Sequence, residues 1–329
     1  MSMGRERFDY IDIVKGIGII LVVCSHSMYS DLMYVASSCF IPLFYVASGY
    51  VTFKVNLKKK ARKLLKPYIF FNIAILLLMF LSGLKNITFN HLFGILYSRY
   101  ALYRLDYSDN QIFMNIGNSP LWFLTSMFLA FIWFSLLLRI KRNKYRLILL
   151  FVYIVITILL GKLPILLPWS IDTSFLMSIF IYCGYIIRNK GYEVNWLSNK
   201  MVCGAVLLYS LCLCINGYTN LSIGNFGKSV WLTIIAGFTG SLVLIKIAIW
   251  LEKFWCKSLL VEIGKNSLII FCIQMPLLFC TEKIYLKIVG ENLSGCELVI
   301  GALFQIFISI MLGYIISKIL VKFIPWVFN

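Results

Sequence analysis

Acidic residues, and charged residues in general, are scarce in this chain. Of its 329 residues only 13 are Asp or Glu, and all charged residues together make up 13% of the sequence, whereas 61% are hydrophobic. Soluble domains carry about 25% charged residues, so this chain has too few charges to cover a water-exposed surface. The composition therefore predicts an all-α, polytopic membrane protein with spans of about 20 residues each. These spans use most of the chain, so residues 1–329 are predicted to form a single transmembrane domain.

Histidine is rarer still, and the cysteines lack metal-binding spacing. The chain has two histidines, His26 and His91, and ten cysteines without any Cys-x-x-Cys pair. Most of the cysteines lie inside apolar runs, where a thiol behaves as a small apolar side chain. Because structural zinc sites need clustered Cys and His ligands, the sequence predicts neither a metal site nor a disulfide framework.

The 31 Lys and Arg residues, which give a net charge of +18, lie mainly in short loops between apolar runs. The strongest cluster, the segment 54–66, has seven positive charges and no acid. The positive-inside rule places it in the cytoplasm, together with both termini, so the charge sets orientation and does not indicate a nucleic-acid partner. The longest outer segment, 84–119, is predicted to be either a re-entrant lid or a surface loop. Ten spans are predicted, at 11–29, 34–53, 67–83, 120–138, 147–161, 172–187, 201–216, 229–250, 264–281 and 296–320.

The first apolar span contains three ionisable side chains, Asp12, Lys15 and His26. At about 100° per residue, Lys15 and His26 share one helix face and are separated by a rise of about 16 Å. Asp12 lies one turn before Lys15 on the same face. Ionisable groups are costly in hydrocarbon, and within a span they usually mark a functional site that faces protein or water. The alternative is that Asp12 and Lys15 form an interfacial pair and His26 is a hydrogen-bonded core histidine.

Five motifs, in order along the chain, carry a resemblance to a known family. They are Asp12-x-x-Lys15 with ten residues between Lys15 and His26, the segments FIPLFYVASGY (40–50), RKLLKPY (62–68) and LWFL (121–124), and Pro168-Trp169 with Asp172 and Gly184. In these motifs, which extend over most of the chain, the sequence resembles the membrane-integral acyltransferase 3 family. Within that family it is similar to the fucose 4-O-acetylase-like branch.

Two positions depart from the family pattern. The segment GKNSLIIFCIQ (264–274) resembles a family element that ends in His, but here it ends in Gln274. A catalytic role is therefore not carried over to this late position. The basic motif is rich in Lys where many family members have Arg-x-x-Arg, which keeps the positive charge and loses the forked geometry of arginine.

The resemblance implies an acyltransferase that moves an acetyl group from acetyl-CoA to a hydroxyl of a cell-surface or lipid-linked glycan. Acetyl-CoA is expected as a co-substrate and not as a tightly bound cofactor. The expected location is the inner membrane of a bacterial-type cell, with acyl-CoA, the glycan and the lipid bilayer as partners. His26 is expected to act as general base or as acyl-carrying nucleophile, with Lys15 and Asp12 in the same catalytic line. A transporter or flippase of glycan intermediates is the alternative.

Further residues are expected to bind the two substrates. Ser48, next to Gly49, is expected to contact substrate or to allow close packing of the second span against His26. Trp122 is a candidate sugar platform or an interfacial belt residue, and Asp172 is expected to bind acceptor hydroxyls or to cap its helix. Cytoplasmic basic residues are expected to hold the coenzyme phosphates, or else to set topology and touch anionic lipid: Lys59, Lys60, Arg62, Lys63 and Lys66.

Overall fold

The computed structural model describes residues 8–28, 34–83, 88–99, 101–104, 119–189 and 197–328. Within these ranges the chain forms twelve α-helices, and the same ranges contain no β-strand. The helices are α1 (Asp9–Cys24), α2 (Tyr34–Tyr50), α3 (Leu57–Leu81), α4 (Phe89–Tyr97), α5 (Trp122–Arg139), α6 (Asn143–Gly161), α7 (Ile171–Asn189), α8 (Asn199–Asn216), α9 (Val230–Leu251), α10 (Lys257–Lys265), α11 (Ser267–Val289) and α12 (Gly295–Phe323).

Eight of the described helices are long and apolar enough to cross a membrane, namely α3, α5, α6, α7, α8, α9, α11 and α12. The predicted all-α polytopic membrane protein is thereby confirmed. The first two predicted spans form the shorter helices α1 and α2, with 16 and 17 residues, so the number of ten spans and the side of each terminus stay predictions. The predicted span 264–281 is divided, because α10 ends at Lys265 and α11 continues to Val289.

Helix α3 starts at Leu57, well before the predicted span that begins at residue 67. Asn56 caps its first turn, where its side-chain oxygen accepts a hydrogen bond from the Lys59 N–H at 2.9 Å. The basic segment that follows consists largely of good helix formers, so it forms a helix that continues into the apolar span. Its basic side chains therefore point in different directions around the helix axis and do not form one loop.

Helix α1 is central in the bundle and packs against α2, α9, α10, α11 and α12. Its residues Ile13, Val14 and Ile19 are fully buried. Helix α2 approaches α7 closely, because a Cβ on Gly49 would lie only 1.9 Å from the Ile181 carbonyl oxygen. Small residues commonly allow such close helix contacts in membranes. Gly49 thus serves the contact with α7 and not the expected approach to His26.

The outer segment 84–119 is described in part. Residues 88–99 and 101–104 include α4, whereas 84–87, 100 and 105–118 lie outside the described residues, and with them most of the predicted lid or loop. The second histidine, His91, belongs to the cap of α4, where its Nδ1 accepts a hydrogen bond from the Thr88 N–H at 3.1 Å. The Tyr97 hydroxyl at the end of α4 donates to the Leu166 carbonyl oxygen at 2.7 Å. This hydrogen bond ties α4 to the segment before α7.

Candidate functional site

A cavity of about 530 Å³ lies beside α1 in the bundle interior. Its wall is formed by α1, α2, α3, α5, the 218–222 loop, the junction of α10 with α11 and the end of α12. Lys15 lies on α1 and His26 lies in the turn directly after this helix, so one segment of the wall carries both side chains. We call the region of Lys15, Lys63, Lys265 and Ser267 the lysine end, and the region of Ser25, His26, Trp122, Asn220 and Ser222 the histidine end.

Between the two ends the cavity wall is aromatic. Phe44, Phe123 and Phe271 come from three different helices. The ring centroid of Phe123 lies 5.8 Å from that of Phe44 and 5.3 Å from that of Phe271. Gly18 of α1 leaves room for Phe44, because a Cβ there would lie 2.8 Å from the ring. The middle of the cavity is thus suited to an uncharged segment of a ligand.

At the lysine end, Lys15 is paired with Asp12, with 3.2 Å between Lys15 Nζ and Asp12 Oδ1. Asp12 is only 4% exposed and does not line the cavity. Its carboxylate therefore orients the Lys15 ammonium from behind the wall. Lys15 thus lies with Lys63 and Lys265 on the cavity wall, and the expected catalytic role of Lys15 and Asp12 stays a prediction.

Of the five basic residues expected to hold the coenzyme, Lys63 lines the cavity and the other four do not. Lys59 and Arg62 are exposed on other sides of α3. The reason is the helical conformation of the basic segment, in which successive side chains are rotated by about 100°. A single helix face meets the cavity, and of the five residues only Lys63 lies there.

Lys60 and Lys66 have other partners. Lys60 Nζ donates to the Thr52 hydroxyl at 3.2 Å and lies 3.6 Å from the centroid of the Phe131 ring. Lys66 Nζ donates to the Trp326 carbonyl oxygen at 3.1 Å. These contacts tie α3 to the end of α2, to α5 and to the C-terminal turn. In the structure Lys60 and Lys66 thus form contacts between helices, and their expected coenzyme contact stays a prediction.

Glu262 of α10 connects the lysine end to α12. Its carboxylate lies 2.8 Å from Lys265 Nζ and 2.5 Å from Lys318 Nζ. The ammonium group of Lys265, and then that of Lys318, lower the pKa of Glu262 from its ordinary 4.5 to about 2. Lys265 was not among the expected binding residues, although it lies in the motif that ends at Gln274. Its position in that motif is the signal that could have indicated it.

His26 follows α1 directly, in a turn that hydrogen bonds hold in place. The His26 N–H donates to the Val23 carbonyl oxygen at 3.1 Å. The neighbouring Ser25 hydroxyl donates to the Val22 carbonyl oxygen at 2.7 Å. The His26 side chain is exposed and lines the cavity. The imidazole is thus accessible to a ligand, in contrast to a histidine packed into a core.

Trp122 and Ser48 also line the cavity. Trp122 is 7% exposed, and its ring packs edge-on against Phe123 with centroids 6.3 Å apart. The Ser48 hydroxyl points toward the sulfur of Met127 at 3.9 Å. Both residues therefore stay candidates for substrate contact, Trp122 at the histidine end and Ser48 on the wall formed by α2.

Asp172 lies outside the cavity, so the expected contact with acceptor hydroxyls is wrong for this structure. Its side chain is fully buried in the first turn of α7 and forms ion pairs with Arg99 and, at 3.6 Å, with Arg104. Two guanidinium groups occupy its surroundings, which leaves no access for a sugar. The sequence did not indicate these partners, because Arg99 is 73 positions away in the segment predicted as a lid or loop.

Arg99, Arg104 and Asp172 form what we call the buried ion cluster. Arg99 also donates to the backbone carbonyl of Ser222, and Arg104 donates to that of Ile223. Ser222 itself lines the cavity. The buried ion cluster therefore holds the loop that forms part of the histidine end. The two arginines are functional candidates that the sequence did not single out.

Gln274, which stands where the resembled family has His, does not line the cavity and is 1% exposed. It follows Phe271 by one turn of α11. Neither the nitrogen nor the oxygen of its amide has a hydrogen-bond partner among the described residues, and the same holds for the Ser309 hydroxyl. The structure thus places Gln274 behind the cavity wall.

The polar side chains on the cavity wall are amines, an imidazole, hydroxyls, a phenol and amides. In the described ranges no group of three or more His, Cys, Asp or Glu residues is arranged to hold a metal ion. The lining residues themselves offer anion binding at the lysine end and proton transfer at the histidine end.

Comparison with known proteins identifies the family. No curated protein and no solved structure matches the chain. The family model of acyltransferase 3, described as an acyltransferase domain, matches residues 8–322. This range contains both ends of the cavity and nearly the whole chain. The protein therefore belongs to the acyltransferase 3 family, and it is a membrane acyltransferase.

Proposed function

We propose that the protein transfers an acetyl group from cytoplasmic acetyl-CoA to a hydroxyl of a cell-surface or lipid-linked glycan, in the inner membrane of a bacterial-type cell. The observation that carries this proposal is a single cavity with Lys15 at one end and His26 at the other. The donor consists of an anionic nucleotide, a long uncharged arm and a reactive thioester, in that order. The lysine end, the phenylalanines and the histidine end offer matching surroundings in the same order.

The position of the donor follows from its charge. Its phosphates are attracted to the lysine end, where Lys15 and Lys63 line the cavity. The uncharged pantetheine arm then lies along Phe44, Phe123 and Phe271. The rise of about 16 Å that helical spacing predicts from Lys15 to His26 is comparable to the reach of that arm when extended. The thioester can thus meet His26 while the nucleotide stays on the cytoplasmic side.

At the histidine end, a neutral His26 accepts the proton of the acceptor hydroxyl while the hydroxyl oxygen attacks the thioester carbonyl carbon. The carbon–sulfur bond breaks, and the imidazolium returns the proton to the departing thiolate. In a second route the imidazole takes the acetyl group first and passes it to the hydroxyl afterwards. Both routes develop an oxyanion that hydrogen-bond donors would stabilise, and the side-chain amide of Asn220 lies on the same wall.

The two histidines provide a direct test of this chemistry. We expect His26→Ala to lower acetyl transfer by about 10²- to 10⁴-fold, the range typical for loss of a general base. His91→Ala is the matched control, because His91 caps α4 and does not line the cavity. The measurement is transfer of radiolabelled acetyl from acetyl-CoA to the glycan fraction of membranes, with protein amount and thermal unfolding recorded for each variant.

Full acetyl transfer by a well-folded His26→Ala variant would refute the assignment of His26. Unchanged glycan acetylation in cells that lack the protein, combined with altered glycan export, would favour a transporter or flippase instead.

The sidedness of the donor can be tested in sealed vesicles. In inside-out vesicles, external acetyl-CoA should support acetylation of an acceptor enclosed in the lumen, because the lysine end then faces the added donor. In right-side-out vesicles, external acetyl-CoA should have no effect until it is loaded inside. Equal transfer from both faces of tight vesicles would contradict the placement of Lys15 and His26 at opposite sides of one cavity.

A further inference from the structure

The junction between α10 and α11 opens into the lysine end. Helix α10 ends at Lys265 and α11 begins at Ser267, so that only Asn266 separates them. Lys265, Asn266, Ser267 and Leu268 all line the cavity. The first turn of a 23-residue helix therefore faces the space in which a ligand would lie.

The backbone of this turn has hydrogen-bond donors. The first N–H groups of a helix have no acceptor within the helix, and they form the positive end of its dipole. The Ile269 and Ile270 N–H groups donate to the Asn266 carbonyl oxygen at 3.0 and 3.1 Å. For the N–H groups of Ser267 and Leu268, the described residues provide no backbone acceptor. Two donors at the start of α11 are thus available to a ligand.

Ser267 adds a buried side chain to these donors. The residue is 9% exposed and lines the cavity. Its hydroxyl has no hydrogen-bond partner in the part of the chain that the structure describes. The hydroxyl oxygen is not among the buried side-chain atoms without a partner, so it opens to the cavity and can donate a hydrogen bond to a polar ligand there.

The charge around the turn is positive. Lys15, Lys63 and Lys265 come from three different helices and line the same end, whereas no described Asp or Glu lines the cavity. Asp12 and Glu262 contact Lys15 and Lys265 from outside the cavity wall. A ligand that satisfies backbone N–H groups, a hydroxyl and ammonium groups together is an anion with several acceptor oxygens, such as a phosphate.

We propose that the start of α11 with Ser267, together with Lys15, Lys63 and Lys265, is the subsite for the pyrophosphate of the acyl donor. This assignment rests on the proposed function and adds a location to it. The pyrophosphate is the first anionic group after the uncharged pantetheine arm. With the thioester at His26, it is therefore the group that reaches the lysine end, and the adenosine with its 3′-phosphate lies beyond it.

Binding of coenzyme fragments to the purified protein in uncharged detergent tests which phosphate is held. CoA and dephospho-CoA both keep the pyrophosphate, and we expect them to bind with similar Kd. Pantetheine has no phosphate, and its Kd should be at least about tenfold higher, the change that one charge-assisted hydrogen bond can produce. Pantetheine that binds as tightly as CoA, or dephospho-CoA that binds as weakly as pantetheine, would overturn the assignment.

Two variants test the residues of the subsite. Ser267→Ala and Lys265→Gln should each raise the Kd for CoA, by up to about tenfold, and leave the Kd for pantetheine unchanged. Lys58→Gln is the matched control, since Lys58 is exposed on α3 and does not line the cavity. Thermal unfolding shows whether each variant keeps its fold. An unchanged Kd for CoA in both well-folded variants would overturn the proposal.

Competition with lipid separates the two sources of a phosphate group. Phosphatidylglycerol vesicles should leave CoA bound; if they displace CoA as effectively as excess CoA does, the subsite belongs to a lipid headgroup.

Acetyl transfer, measured separately, distinguishes the proposed function from the proposed subsite. A protein that binds CoA through Ser267 and Lys265 without transferring acetyl refutes the proposed function alone. A protein that transfers acetyl while both variants bind CoA normally refutes the subsite alone.

Discussion

The two ends of the cavity are stabilised in different ways. At the histidine end the side chains of Arg99 and Asp172 are completely buried, and that of Arg104 is 10% exposed. At the lysine end the side chains of Lys265 and Glu262 are 34% and 32% exposed. Buried charges hold their partners firmly because an unpaired buried charge is costly, whereas exposed ion pairs contribute little to stability. The comparison indicates a fixed wall at the histidine end and an adjustable, water-accessible wall at the lysine end.

The lysine end obtains its rigidity from backbone packing. A Cβ on Gly264 would lie 1.8 Å from the Asp12 carbonyl oxygen, and a Cβ on Gly16 would lie 2.5 Å from that of Leu260. Helices α1 and α10 are thus in backbone contact directly before the start of α11. Close backbone contact at these glycines fixes the helices at this end, whereas the side chains of Lys15 and Lys265 are 30% and 34% exposed.

The largest effect is expected from removal of the central acid of the buried ion cluster. Asp172→Ala leaves two arginines without their carboxylate, which should lower the free energy of unfolding by about 3–5 kcal/mol. Asp12→Ala is the counterpart at the lysine end and should cost clearly less, because the side chain of Lys15 is 30% exposed and can reach water. Thermal and denaturant unfolding of both purified variants in detergent measure the difference.

If Asp172→Ala and Asp12→Ala lower the free energy of unfolding equally, burial does not distinguish the two ends. Hydrogen exchange of Asp172→Ala would sharpen the comparison. Because Arg99 holds Ser222, we expect the backbone to lose protection at the histidine end and not at the lysine end.

Helix packing at the lysine end should give the second largest effect. In Gly264→Ala the new methyl group meets the Asp12 backbone, and overpacking of this kind costs about 1–3 kcal/mol. Gly204→Ala is the control, because no atom of the described residues lies within 4 Å of a Cβ at Gly204 in α8; there alanine should be neutral or slightly stabilising. The melting temperatures of the two variants check the prediction. Gly264→Ala with an unchanged melting temperature would contradict the close contact of α1 with α10.

The sequence predicted the parts of the site that depend on spacing within one helix. Helical spacing predicted that Lys15 and His26 lie on one side of the first span, and both line the cavity, although α1 ends at Cys24 and His26 lies in the turn after it. Lys63 was among the basic residues expected at the donor, and it lines the cavity as well. The fold class and the family could also be predicted, because hydropathy and the order of the motifs are properties of the sequence itself.

The parts that depend on contacts between distant segments could not be read from the sequence. Asp172 was expected to bind acceptor because nothing in its neighbourhood reveals Arg99 and Arg104 as partners. Lys60 was expected at the coenzyme, but the helical conformation of its segment turns it toward Phe131. In both cases the local pattern gave the chemical nature of the side chain, and tertiary packing decided its partner.

The smallest effect, and the one with the clearest pH dependence, is expected for Glu262→Gln. The ammonium groups of Lys265 and Lys318 hold the pKa of Glu262 at about 2, below its ordinary 4.5. A carboxyl whose pKa is lower in the folded state stabilises the fold fully above the unfolded pKa and loses this contribution as the pH falls toward the folded one. The stability difference between the parent protein and Glu262→Gln should therefore be constant above pH 4.5.

Between pH 4.5 and about 2 that difference should disappear. Its size should stay below about 1 kcal/mol, because the three partners are open to water, and salt should reduce it further. Glu291→Gln, at an exposed position without an ion pair among the described residues, is the control for loss of a surface carboxylate. The measurement is thermal unfolding at a series of pH values in low and high salt. If Glu262→Gln lowers the free energy of unfolding as much as Asp172→Ala does, charges hold the lysine end as firmly as they hold the histidine end. The contrast between a fixed and an adjustable wall would then be wrong.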